Sequence, residues 1–125
     1  CMFYIKGVPL CIRHINESDL DNSFYNTMML LSKEIIQLIN TLSKQQLHYI
    51  FNDTKVFVIC NLNTNNIVAS ATINILNNHS LSSVCIIKDI IIHKEYDNEK
   101  IRSLFMDFLT DYCTITVKCI KYIIK

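Results

Sequence analysis

Glycine and proline occur once each in 125 residues, as Gly7 and Pro9, and that scarcity removes several kinds of chemistry at the outset. Nucleotide-binding loops and nucleophile elbows need glycine for positive φ and for close approach of the backbone to a phosphate or an oxyanion. The chain accordingly has no Walker loop and no G-x-S-x-G elbow, and it also lacks H-E-x-x-H. An excess of one charge is missing too. The formal net charge is +1, with 18% charged residues of both signs interspersed, which gives no electrostatic footprint for a nucleic-acid backbone or an anionic membrane. No apolar run approaches the roughly 20 residues of a membrane-spanning helix. Met2-Phe3-Tyr4-Ile5 meets Lys6 before a secretory segment can develop. These features predict a cytoplasmic domain without nucleic-acid or membrane partners.

Paired cysteines are absent as well. Cys1, Cys11, Cys60, Cys85, Cys113 and Cys119 sit singly inside apolar runs with no C-x-x-C, a pattern that predicts reduced core thiols. The spacing of His79 and His93 with Cys85 and Asp89 matches no compact ligand motif, so no metal is expected. What the chain does have is hydrophobic mass: half of its residues are apolar, enough for one domain to bury a core without staples. Isoleucine and asparagine are abundant and alanine is scarce, as in the product of an AT-rich genome.

The apolar pattern predicts an α/β domain with a mixed sheet. Leu10 to Ile15 alternates as a first strand, and Asn16-Glu17-Ser18-Asp19 offers caps and first-turn acids for a helix from about Ser18. Leu20, Phe24, Met28 and Leu31, then Ile35, Ile36, Leu38 and Ile39, extend a helix-rich segment over 18–51. Ser43 can cap a short helix through Leu47 and Ile50. Val56 to Cys60 and Ile67 to Leu76 predict an antiparallel hairpin across an asparagine-rich turn. Cys85 to Ile92 reads as the sheet's centre, buried on both faces. Ile101, Leu104, Phe105, Phe108, Leu109 and Tyr112 mark an amphipathic helix, and Thr114 to Ile120 a final strand parallel to the central one.

Two local features bear on function. Lys88-Asp89 interrupts the apolar strand, which implies either a cleft that receives one charge, or a structural ion pair or half-exposed strand. The turn from His93 to Asn98 leads into a helix start, where free amides can bind an anion. Asp97 and Glu99 favour a plainly capped start there instead.

Ile12-Arg13 through Asp19-Leu20, Ile67-Val68-Ala69-Ser70-Ala71-Thr72, Ile87-Lys88-Asp89-Ile90-Ile91-Ile92 and Ile115-Thr116-Val117-Lys118-Cys119 together resemble motifs of the GCN5-related N-acetyltransferases (GNAT), in particular the glucosamine-6-phosphate N-acetyltransferases. The resemblance spans about Ile12 to Ile120 and implies the acyl-CoA N-acyltransferase fold, a mixed sheet with flanking helices. It implies one domain over 1–125 that stops short of the family's closing strands. It also implies acetyl-CoA as co-substrate, glucosamine 6-phosphate as acceptor on the way to UDP-N-acetylglucosamine, and a homodimer. Acetyl-CoA would lie along Ile90, Ile91 and Ile92, with its pyrophosphate at Asn98, Glu99, Lys100, Ile101, Arg102 and Ser103. The amino sugar would be held near His79, Ser80, Leu81 and Ser82, with Lys88, Asp89 and Lys118 at the catalytic positions. The chemistry implied is attack of the amine on the thioester, with backbone N–H groups stabilising the oxyanion.

The departures from the pattern are equally specific. The family's glycine turn aligns with Asp97-Asn98-Glu99-Lys100-Ile101-Arg102, in which both glycines are replaced, and Lys88 and Lys118 stand where the family has carboxylates. The alternative implied is an inactive module of the same fold that binds or dimerises; a second is an acetyltransferase of another amine.

Overall fold

The computed structural model describes residues 2–16, 19, 37, 38, 40–78 and 81–125. The helices expected between residues 20 and 36 lie outside that set, as do Cys1, His79 and Ser80. Strand β1 (Met2–Ile5) turns through Lys6 and Gly7 into β2 (Val8–His14). Both turn residues have positive φ, 49° and 80°, as the primed hairpin turns require, so the lone glycine sits where a side chain would be strained. Helix α1 (Lys44–Ile50) follows, then β3 (Thr54–Asn61), β4 (Ile67–Leu76), β5 (Val84–Ile92), helix α2 (Glu99–Asp111) and β6 (Lys121–Ile124). The six strands form one sheet in sequence order, antiparallel until the last pair, where β5 and β6 run parallel.

Two hydrophobic layers hold the sheet. On one face, Leu10, Phe57, Ala71, Ile73, Cys85 and Ile87 pack against Ile101, Phe105, Leu109 and Cys113, which recur every four residues along α2. On the other, Val56, Val58, Cys60 and Ile67 are covered by Ile15, Leu38, Phe51 and Ile91. Ser43 caps α1 through a reciprocal pair with Gln46, as its position in the sequence predicts. Cys60, Cys85 and Cys113 are buried free thiols, and Cys11 and Cys119 are half-buried ones.

Two expectations need correction, and one strand is additional. The sheet's centre is β3 and β4, which are buried almost throughout, whereas β5 is the penultimate strand and alternates between buried and half-buried positions. Thr114 to Ile120 is not a strand. Its first residues continue α2 as a widened π turn (Tyr112–Thr116), with the Val117 N–H donating to the Tyr112 carbonyl at 3.0 Å, and the strand begins only at Lys121. The β-branched run favours a strand, but Cys113 and Val117 extend the four-residue core spacing of Ile101, Phe105 and Leu109, and that packing prevails. Finally, Met2–Ile5 forms an unexpected edge strand, paired Ile5 to Val8 across the Lys6-Gly7 turn.

The chain leaves β2 through a buried ion pair. Arg13 donates to both carboxylate oxygens of Asp19 at 2.7 and 2.8 Å, and Asp19 is only 4% exposed. Asn16 and Asp19 cap one another: the Asp19 N–H donates to the Asn16 side chain, and the Asn16 N–H to the Asp19 carboxylate. Asp19→Ala is expected to lower the unfolding free energy by about 2 to 4 kcal/mol, because it strands a part-buried guanidinium and an amide together. Urea denaturation followed by circular dichroism checks this, and a loss below about 0.5 kcal/mol, the size of an ordinary surface effect, would contradict it.

His14 stacks on Phe57 at 4.3 Å between ring centroids and meets the Tyr112 edge at 5.9 Å, although much of the residue is exposed. Burial of that ring face, and secondarily the charge of Lys55, lower its pKa below the usual histidine value. The unfolded chain therefore binds the proton first as pH falls, so stability declines with acidification below about pH 6.5. His14→Phe should keep the stack and flatten that part of the stability-versus-pH curve; an unchanged curve would show that His14 does not contribute.

Candidate functional site

β5 carries one residue more than β4 over the same length. Thr72 faces Lys88 and Ser70 faces Ile91, so Ala71 alone opposes Asp89 and Ile90, a β-bulge at which Asp89 has φ 54°. The bulge changes which residues face the core. Cys85 and Ile87 point into the α2 layer; past the bulge it is Ile90 and Ile92 that do so, while Ile91 packs on the opposite side with Val58 and Cys60. Without the extra residue, Asp89 would follow Cys85 and Ile87 into the core. The bulge instead leaves its carboxylate exposed.

Strand β6 lies beside the first half of β5. Pairing runs from Val84 to Ile87, and the Lys125 N–H donates to the Ile87 carbonyl at 2.8 Å. His93 donates to the Val68 carbonyl at 2.8 Å, so Ile91 shares that β4-facing side, and the N–H and C=O groups of Ile90 and Ile92 face the other way. Among the described residues no strand pairs with that edge of β5 past Ile87.

Beyond β5 the chain makes a tight turn in which the Tyr96 N–H donates to the His93 carbonyl at 2.8 Å and the Glu95 N–H to His93 Nδ1 at 3.2 Å. The Tyr96 hydroxyl accepts from the Asn61 side-chain amide at 3.1 Å, tying this turn to the β3–β4 turn. A groove of about 620 Å³ lies between them, floored by Ile67, Val68, Ile91 and Ile92 and walled by His93 and Tyr96.

Helix α2 then starts with a side-chain cap and an exposed ion pair. The Asn98 side chain accepts from the Ile101 N–H at 3.0 Å and its carbonyl from the Arg102 N–H at 3.0 Å. Arg102 donates from Nε and one terminal nitrogen to the two Asp97 oxygens at 2.6 and 2.8 Å. That hydrogen-bonded contact holds the Asp97 carboxyl below its ordinary range and raises the guanidinium. Ile101 is fully buried, whereas Glu99, Lys100, Arg102 and Ser103 are exposed.

The residues singled out from the sequence thus fall into two groups. Asp89, Ile90, Ile91, Ile92 and the α2 start from Asn98 to Ser103 gather around the C-terminal end of β5, and Lys88, half-buried opposite Thr72, adjoins them. Leu81 and Ser82 precede β5, and exposed Lys118 lies at that same end, because the Ile120 N–H donates to the Ser83 carbonyl at 3.0 Å. At about 3.3 Å per residue, the strand between Ser83 and Ile90 separates the two groups by some 20 Å or more. Lys118 has φ 58° in a turn and does not sit on a strand beside β5's free edge. The Asp97–Arg102 and Asn61–Tyr96 pairs have no counterpart among the sequence expectations: the first spans five residues and the second thirty-five, so neither has the i, i+4 signature of a helix pair.

No protein-family model and no curated protein sequence matches the chain. Solved structures do. Glucosamine-6-phosphate N-acetyltransferase from Arabidopsis thaliana superposes with a TM-score of 0.66 at 17% identity, over 93% of this chain and 81% of that one. An aminoglycoside acetyltransferase from an uncultured soil metagenomic sample, solved with trehalose, gives 0.64 at 20% identity, over 93% and 76%. AAC(6')-Iy in complex with the bisubstrate analogue CoA-S-monomethyl-acetylneamine gives 0.59 at 12%, over 93% and 78%. The chain therefore has the GNAT acyl-CoA N-acyltransferase fold, as the sequence resemblance implies.

Beyond the bulge, β5 carries backbone groups on the side away from β4 with which an amide-bearing pantetheine arm can pair. At the helix start one amide is capped by Asn98 and a carboxylate is held beside it on Arg102, which makes that end less favourable to a pyrophosphate than an uncapped, glycine-lined turn.

Asp89 tests the bulge itself. Asp89→Gly removes the side chain from a left-handed conformation and should leave stability unchanged or raise it by about 1 kcal/mol, whereas Asp89→Val should cost about 1 to 2 kcal/mol. Equal urea midpoints for the two variants would show that φ at this position does not matter.

Proposed function

We propose that this domain is an N-acetyltransferase that takes acetyl from a coenzyme A-type thioester to the amine of an amino sugar phosphate, with glucosamine 6-phosphate as acceptor. The observation that carries the reading is the Asp89 bulge in β5, in a fold shared over 93% of the chain with a glucosamine-6-phosphate N-acetyltransferase. The sequence motifs at Ile67 to Thr72 and Ile87 to Ile92 support the same acceptor, and both fall on the strands that flank the bulge. In this reading Asp89 and Lys88 lie nearest the reacting groups, and Leu81, Ser82 and Lys118, at the other end of β5, are too far away to touch the same acceptor. A cytoplasmic location belongs to the reading as well, by the same resemblance. So does a homodimer, for which exposed Tyr122, Ile123 and Ile124 on edge strand β6 provide an apolar surface.

One observation favours a second reading, a module that keeps the fold without the transfer: at the start of α2 Asn98 caps Ile101 and Asp97 pairs with Arg102, where the resemblance implies a glycine-lined turn. Incubating the full chain with acetyl-CoA and glucosamine 6-phosphate, and looking by mass spectrometry for the acetylated sugar phosphate, separates the two. Product that requires both substrates supports the enzyme. Thioester binding without product from that sugar or from an aminoglycoside points to the module, and absence of any thioester binding overturns the enzyme.

A further inference from the structure

The groove of about 620 Å³ between the β3–β4 turn and the β5–α2 turn has no role in the proposed transfer, in which the donor pairs with the side of β5 that faces away from β4. Three side chains on its wall each accept a hydrogen bond from the chain and keep a proton of their own. The Asn61 Oδ1 accepts from the Asn63 N–H at 2.9 Å, which turns Nδ2 onto the Tyr96 hydroxyl oxygen at 3.1 Å. The Thr64 hydroxyl oxygen accepts from the Asn66 N–H at 3.3 Å. His93 Nδ1 accepts from the Glu95 N–H at 3.2 Å, so the proton of the neutral ring sits on Nε2. Among the described residues these protons of Tyr96, Thr64 and His93 have no acceptor. Beneath them the floor is aliphatic, and the two charged residues of the rim, Lys94 and Glu95, are exposed and opposite in sign.

We infer that this groove is a binding site for an uncharged, largely apolar small molecule that presents carbonyl oxygens to Tyr96, Thr64 and His93. A concave surface that is mostly apolar, with a few oriented polar groups, is the usual form of a small-molecule site. The oriented groups select the class. A plain hydrocarbon would cover the three donors without pairing them, and a carboxylate would bring a charge onto an aliphatic floor beside a rim with no net charge. A carbonyl oxygen on an apolar skeleton meets both conditions.

Titration of the full chain with coumarin, naphthalene and coumarin-3-carboxylate, followed by ¹H–¹⁵N NMR, tests the inference: the first is neutral with carbonyl oxygen, the second lacks acceptors and the third is an anion. Coumarin should shift the amide signals of Val68, His93 and Tyr96, and the other two should bind at least about fivefold more weakly. Thr64→Val, at an exposed position, and Tyr96→Phe each remove one proton from the wall. Each should weaken coumarin by about two- to tenfold and leave naphthalene unchanged. Thr64→Val decides the matter should Tyr96→Phe disturb the turns, because Thr64 holds only its own turn. Coumarin that leaves those three amides unmoved, an anion that binds as tightly as coumarin, or coumarin affinity that Thr64→Val does not change would overturn the inference. Acetyl transfer enters none of these measurements, so the proposed function and this site are tested separately.

Discussion

A single additional residue in β5 determines most of what surrounds it. Its apolar run places Cys85 and Ile87 in the α2 layer, and strict alternation would send Asp89 after them. An unpaired carboxylate in that layer would cost several kcal/mol, far more than the roughly 1 to 2 kcal/mol of holding a side chain in the left-handed region. The bulge accepts the smaller cost. Aspartate is also among the residues that tolerate positive φ best, so charge and backbone geometry are resolved at the same position. The side-chain phase then reverses, Ile90 and Ile92 take over the core-facing positions, and Ile91 helps to close the opposite face.

The α2 layer depends on that phase being right on both sides of the bulge. Ile101, Phe105, Leu109 and Cys113 are fully or almost fully buried against β strands that include both halves of β5. Phe57 extends the layer through edge contacts with Phe108 at 5.2 Å and Tyr112 at 4.8 Å. The helix is therefore fixed against the sheet independently of what binds at its start. A polar, exposed first turn can persist there without weakening the fold.

Much of this architecture is legible in the amino-acid sequence. The β4 limits Ile67–Leu76, the Ser43 cap and the helix start at Asn98 all follow from alternation and capping chemistry, which act within a few residues. The Lys88-Asp89 anomaly is legible as a place where something must give, though not as a bulge, because the extra residue exists only relative to β4. What the sequence misplaces is all of that relational kind. It overstates the burial of β5 because an isoleucine run cannot reveal its place in the strand order. Thr114 to Ile120 has strand propensity, and only the packing of Cys113 and Val117 against the sheet shows why it stays helical before turning.

Two arginine–carboxylate forks in this chain have nearly the same geometry and different consequences. Arg13 and Asp19 meet at 2.7 Å with the carboxylate 4% exposed, so separating them leaves a desolvated charge behind, and the pair joins the end of β2 to the chain that follows. Arg102 and Asp97 meet at 2.6 Å in the open, with side-chain exposures of 58% and 33%. Water replaces either partner at little cost, and such a pair contributes little to folding. The same fork is a support only where burial removes the competition of water, and that is the difference between the end of β2 and the start of α2.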